Sequence, residues 1–247
     1  MIKRIKTKAN KLAALITANK IAEIPAGRQM VSFTFDDIPQ SAEQNGARIL
    51  SSRGVHGSFY LSLGMEGKQS PSGLIATRDH IQSLIASGHE CGCHTYHHVN
   101  CAGLIESKIR EECRLNREAF RRISDLTLES FAFPFGGFDR TSKQAIAETY
   151  KTARTVEAGI NSTKFDPFAL KSVALYDKRG SRDPHQWLDA LDSQSGWLIF
   201  YTHDVDDKPS PYGCSVDCFT QLLDTCLERD YEVVTVAQGQ QICRIPV

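Results

Sequence analysis

The sequence predicts a single-domain α/β fold, a distorted (β/α) barrel of seven or eight strands. Three observations carry that expectation. Short runs such as Met30–Phe35 and Trp197–Thr202 are near-continuously apolar, aromatic and β-branched, the pattern of strands covered on both faces in a parallel sheet. Stretches of helical character lie between such runs, so the chain reads as repeated βα units. A length of 247 residues suits one barrel with one core, and no repeat, low-complexity tract or Gly/Pro-rich linker divides it.

Taken in order, residues 1–24 form a basic N-terminal segment ahead of a domain over 25–247. Lys3, Arg4, Lys6, Lys8 and Lys11 supply the charge, while Ile2, Ile5, Ala9, Leu12 and Ile16 recur at helical spacing. Its apolar run, Leu12–Ile16, is too short for a transmembrane helix or a good signal peptide. The segment is therefore expected as an amphipathic helix. Either it docks across the bottom of the barrel, or residues 1–20 make peripheral contact with an anionic membrane. Without an export signal the expected location is cytoplasmic, membrane-associated in the second case.

Strands are expected over Met30–Phe35, His56–Ser62, His89–Cys93, Ser130–Phe135, Thr152–Val156, Ser172–Tyr176, Trp197–Thr202 and Glu232–Val236. Pro134 belongs at a strand end rather than in a ladder centre. Helices are expected over Ser41–Ser52, Thr77–Ser87 with Gly88 as its stop, Leu104–Ile123, Ser142–Thr149, Pro184–Leu191 and Val216–Glu228. The 29 basic and 29 acidic residues cancel, which offers no field for drawing in nucleic acid. Eight cysteines lack the paired spacing of a zinc ribbon and read as reduced packing thiols.

Chemistry concentrates in two stretches. Thr34-Phe35-Asp36-Asp37 ends the first apolar strand on paired carboxylates, and His94-Thr95-Tyr96-His97-His98 follows a later strand. One Asp with two His is a facial N/O set suited to a zinc-like divalent ion with positions left open for water. A second carboxylate beside it can serve as a base. His94 and His98, four apart, would share one face of a helical turn, leaving His97 a bystander. On a regular strand Asp36 and Asp37 face opposite ways, so both reach one site only if the strand ends or bulges there.

These stretches resemble the first two motifs of the polysaccharide deacetylases, the NodB-homology group or carbohydrate esterase family 4. Phe131–Gly136 resembles the family's Pro-aromatic-Gly segment, and Trp197–Asp204 its late strand ending in a His. The resemblance runs in order from about Met30 to about Ala237. It implies a metal-dependent hydrolase that removes an N-acetyl group from an amino sugar. Asp37, His94 and His98 would hold one divalent metal, zinc by default, with cobalt, nickel or iron compatible. Asp36 would be the base, the backbone N–H at Phe135 beside Gly136 the oxyanion donor, and His203 the acid that protonates the leaving amine.

The chain departs from the family pattern at three places. Ala132 stands where an Arg orients the base, and Arg154 is the candidate replacement. No Asp-Trp motif accompanies His203; Glu157, Asp177 and Asp183 are candidate partners. Tyr201 replaces the Leu that walls the acetyl methyl. The expected partner is an N-acetylated carbohydrate, such as a lipid-linked or nucleotide-linked sugar, with Phe165, Phe168 and Tyr212 available either to stack on sugar rings or to pack the loops. Two alternatives are another metal amidohydrolase acting on a small amide, and a catalytically impaired relative that binds carbohydrate.

Overall fold

The computed structural model describes residues 10, 13–15, 20–177 and 183–244. A short strand β1 (Ala22–Glu23) precedes the long β2 (Gln29–Asp36). A π-helical turn (Ala42–Ala47) runs into α1 (Arg48–Ser52), and β3 (Ser58–Leu61) follows. A small hairpin of β4 (Gln69–Ser70) and β5 (Gly73–Leu74) leads to α2 (Arg78–Ala86) and β6 (Glu90–Cys93). Next come α3 (Glu106–Phe120), β7 (Ser130–Ala132), a 3-10 turn (Pro134–Gly136), α4 (Arg140–Ala147) and β8 (Thr152–Arg154). The chain continues through β9 (Lys164–Phe165), β10 (Val173–Ala174), α5 (Pro184–Asp192) and β11 (Gly196–Thr202). It closes with α6 (Val216–Glu228), β12 (Glu232–Val233) and α7 (Val236–Ile242).

Seven strands lie side by side in the order β10-β11-β2-β3-β6-β7-β8, all parallel, as the βα alternation requires. Strand β2 divides one edge between two neighbours. Met30 and Val31 pair with β12, and Thr34–Asp36 pair with β3. The sheet curls until a single stretch of chain meets both its edges. Leu170 N–H donates to the Ala153 carbonyl at 2.9 Å and Thr155 N–H to the Leu170 carbonyl at 2.8 Å, while Leu175 N–H reaches the Tyr201 carbonyl at 2.8 Å.

Side chains alternate across each strand with a period of two, and here the two faces have different characters. Phe33, Phe35, Phe59, Phe131 and Phe200 point outward into the main core beneath the helices. Phe35 stacks on Phe59 at 4.4 Å, and Phe33 meets Phe219 of α6 at 5.3 Å. The intervening residues point into the barrel. Met30, Trp197 and Ile199 plug its bottom in a separate apolar cluster, and the Trp197 indole donates to Ser32 Oγ at 2.9 Å. Higher up the interior is polar, with Thr34, Asp36, Ser58, Ser130 and Arg154 all buried.

Several expectations are corrected. The 1–24 segment is not helical to its end, because Ala22–Glu23 pairs antiparallel with Lys164–Phe165. Residues 10 and 13–15 are helical, and buried Ala14 accepts a 2.7 Å bond from Lys143 Nζ. Most of the proposed amphipathic helix, and the membrane contact through 1–20, lie outside the described residues. The last strand stops at Val233, since Thr235 accepts from Gln238 N–H and caps α7, a Thr-x-x-Gln capping box visible in the sequence. Phe165 packs on Trp197 and Phe168 is buried, so neither faces a groove. All eight cysteines are unpaired, and all but Cys218 are buried.

Candidate active site

Six non-glycine residues among those described have positive φ: Asp37, Ile38, Thr95, His98, Phe135 and Asp230. Four of them, Asp37, Thr95, His98 and Phe135, belong to the sequence-predicted motifs, and Ile38 directly follows one. Left-handed backbone is costly for L-residues, above all for β-branched ones such as Ile38 and Thr95, and such strain gathers where a site demands it. The reason is local. Strand β2 ends with Asp36 pointing into the barrel, and the turn at Asp37 and Ile38, closed by Ile38 N–H to the Asp36 carbonyl at 2.6 Å, swings Asp37 to the same side. Both carboxylates thus reach one cavity, as a strand ending there permits.

The two histidines converge by a different route from the expected helical turn. Residues 94–98 form a bend after β6, with Thr95 and His98 left-handed. His94 Nε2 lies 3.8 Å and His98 Nε2 3.1 Å from Asp37 Oδ1. One ligand atom from each of the three falls within 4.8 Å of the others. His97 turns away, its Nδ1 3.1 Å from Glu112 Oε1.

The donor set fits a divalent cation. His94 Nδ1 sits 2.7 Å from the Ala132 carbonyl, which places the ring proton there and turns the Nε2 lone pair toward Asp37. Burial drives the His94 pKa down to about 3, so the imidazole is neutral and able to coordinate. Burial lowers His98 as well. Asp37 is pushed up to about 6, by burial first and by the Asp36 charge, against the pull of His203. A cation between these three side chains would supply the counter-charge that a largely enclosed carboxylate needs.

Asp36 is treated differently by its surroundings. Burial would raise its pKa, but Arg154, His94 and His203 outweigh that and hold it below the usual carboxylate range. Arg154 Nη2 donates directly to Asp36 Oδ1. The guanidinium is fully buried, with Nη1 3.2 Å from the Thr155 carbonyl and 3.4 Å from Ser172 Oγ. Strand register explains how it replaces the missing Arg. Ala132 and Arg154 are direct partners across β7 and β8. Arg154 thus enters the barrel at the height of Ala132, one strand to the side.

His203 follows β11. Its Nε2 is 4.0 Å from Asp37 Oδ2, and its Nδ1 is 3.2 Å from the Tyr212 carbonyl. The expected carboxylate partner is therefore replaced at Nδ1 by a backbone carbonyl. Asp177 accepts from Ser215 N–H at 2.9 Å, and Asp183 caps α5 through His185 N–H at 2.9 Å. Phe135, 69% exposed, forms the rim, its ring 4.4 Å from that of His98. Asp36, Asp37, His94, His98, His203, Phe135, Gly136 and Tyr201 all line one cavity of about 530 Å³ at the C-terminal ends of the strands, the catalytic face of βα barrels. Met65, the hairpin residues Gln69–Ser72, Ile75, Val156, Tyr176 and Tyr212 complete its wall.

Fold and site together define a parallel βα barrel whose mouth holds carboxylates and imidazoles in a largely apolar and aromatic cavity. The chain belongs to the polysaccharide deacetylase family, whose sequence profile matches residues 23–153. No curated protein sequence matches it. Among solved structures it is similar to the carbohydrate esterase family 4 domain of a multidomain xylanase from the hindgut metagenome of Trinervitermes trinervoides (20% identity, 87% of this chain and 91% of that one, TM-score 0.61). It is similar also to a family 4 acetyl xylan esterase from Clostridium thermocellum in complex with a cobalt ion (19%, 86% and 91%, TM-score 0.61). A family 4 pseudoenzyme from Bacillus anthracis shares the fold as well (14%, 87% and 66%, TM-score 0.57).

Proposed function

We propose that this chain is a metal-dependent deacetylase that hydrolyses the N-acetyl group of an amino sugar in a glycan or glycan precursor. The convergence of Asp37, His94 and His98 beside a second carboxylate, Asp36, carries the reading. Those three residues hold one divalent cation, zinc being the default for two imidazoles and a carboxylate, with cobalt, nickel or iron accommodated by the same donors. When bound, such an ion polarises the acetyl carbonyl and acidifies water.

The remaining chemistry belongs to the protein. Asp36, kept ionised by Arg154, takes the proton of the attacking water. The backbone N–H of Phe135, on the left-handed turn, faces the tetrahedral oxyanion, a contact typically worth about 10²–10³ in rate. An amine leaves poorly unless protonated, and protonated His203 delivers that proton from Nε2 while the Tyr212 carbonyl fixes Nδ1–H. The Arg–carboxylate pair argues against an impaired relative, because the base has its orienting cation after all.

The test is acetate release from N-acetylglucosamine and its oligomers, with metal content measured on the same sample. About one equivalent of transition metal, turnover abolished by chelator, and losses of at least 10²-fold in Asp36→Asn and His203→Ala are expected. Turnover that survives chelation, or that ignores both substitutions, refutes the mechanism. Release of ammonia or another acid from small amides, with no acetate from sugars, would move the substrate class.

A further inference from the structure

Two of the three departures from the family pattern, Arg154 and Tyr201, meet in space. Arg154 donates through Nη2 to Asp36 and through Nη1 to the Thr155 carbonyl and Ser172 Oγ, while its buried Nε has no hydrogen-bond partner. Two aromatic rings pack against the guanidinium. The guanidinium carbon is 5.2 Å from the Tyr60 ring centroid and 5.0 Å from that of Tyr201. Tyr60 comes from β3, where it is the register partner of Asp36, and Tyr201 comes from β11. Room for the Tyr60 ring exists because its partner on β6 is Gly92, where a Cβ would lie 2.5 Å from the ring.

We infer that Tyr201 is a positioning residue, acting on Asp36 through Arg154, rather than a simple wall for the acyl methyl. The inference rests on the deacetylase reading above. Hydrogen bonds in the guanidinium plane fix where Arg154 lies within that plane but leave its tilt free. Rings packed against it restrain the tilt and hold the donated N–H on Asp36 Oδ1. Tyr201 is the ring on the cavity side. A Leu there offers no π face. The Tyr at 201 and the Arg at 154 thus form one device: moving the cation sideways requires a new lid over it.

The experiment compares wild type, Tyr201→Leu and Tyr201→Phe on N-formyl, N-acetyl and N-propionyl glucosamine substrates. If Tyr201 acts through Arg154, Tyr201→Leu lowers kcat by a similar factor on all three, about 3- to 30-fold for one buried cation–π contact, with KM within about twofold. Tyr201→Phe keeps the ring and recovers most of that loss. A Tyr201→Leu enzyme with wild-type kcat on the acetyl substrate, or one that only changes preference among the acyl groups, overturns the inference. Should Tyr201→Leu fail to fold, Tyr201→Met also removes the ring and is read by the same kcat and KM comparison. Wild type that releases no acid from any substrate refutes instead the underlying deacetylase reading.

Discussion

Arg154 offers the sharpest test of how the base is maintained. Arg154→Met keeps the length of the stem and deletes the guanidinium, leaving a buried Asp36 carboxylate without its principal partner. Removing one member of a buried ion pair typically costs about 3–5 kcal/mol, because the remaining charge is uncompensated. In the wild type Asp36 is held below its ordinary range against the opposing effect of burial. In the variant burial prevails and the folded-state pKa rises above the unfolded one. The penalty is then full at alkaline pH and fades as Asp36 takes up a proton on acidification. Urea unfolding should show the variant about 3 kcal/mol less stable at pH 8, with the gap narrowing toward pH 5. Its kcat should fall at least 10²-fold near neutrality, since a protonated Asp36 accepts nothing. The double variant Ala132→Arg/Arg154→Ala, which returns the cation to the paired position on β7, should recover part of the activity. A variant as stable as wild type at pH 8, with kcat intact, refutes the argument.

Two further expectations concern the scaffold around the site. Gly92→Ala sets a Cβ 2.5 Å from the Tyr60 ring and 2.7 Å from Ser130 Oγ, so thermal or urea unfolding should report a loss of about 1–3 kcal/mol from overpacking; an unchanged midpoint would show that Tyr60 does not need that space. His89, buried with Nδ1 accepting from Gly57 N–H at 3.1 Å and Nε2 3.0 Å from Ser51 Oγ, has its pKa lowered to about 4, by burial first and then by His56. Its stabilisation is complete above the unfolded value near 6.5 and drains away as pH falls toward 4, on the order of 2 kcal/mol after allowing for partial solvent screening. Stability profiles of wild type and His89→Asn, which keeps an acceptor for Gly57, should converge over that window, and parallel profiles would contradict it.

Much of this arrangement is legible in local pattern. The strand-ending Asp36-Asp37, the His94–His98 loop, the Pro134–Gly136 turn and His203 each lie where a βα barrel gathers its chemistry, and all meet in one cavity. Of two finer features, one was anticipated and one missed. In Thr152-Ala153-Arg154 the period-two alternation sends Ala153 outward and Arg154 inward, and Thr235-x-x-Gln238 announces a helix start rather than a strand. The bend over 94–98 was not readable, because its left-handed residues include Thr95, a type that local preference keeps out of that region. Likewise, Phe165 and Phe168 could serve a groove or a core on composition alone, and only packing against Trp197 and burial place them in the core.

By itself the sequence determined the alternation of strands and helices, the ends of strands on which reactive side chains stand, and the donor types available to a cation. These follow from periodicity and residue chemistry, which act over a few neighbours. Which cation meets Asp36 was decided only by tertiary structure, because the 118 positions separating it from Arg154 are bridged by the order and register of the strands between them. The choice of a carbonyl rather than a carboxylate behind His203, and the enclosure of Arg154 by two tyrosines, were settled in the same way. Register is fixed by the packing of whole faces, so it leaves no mark on any one stretch of chain.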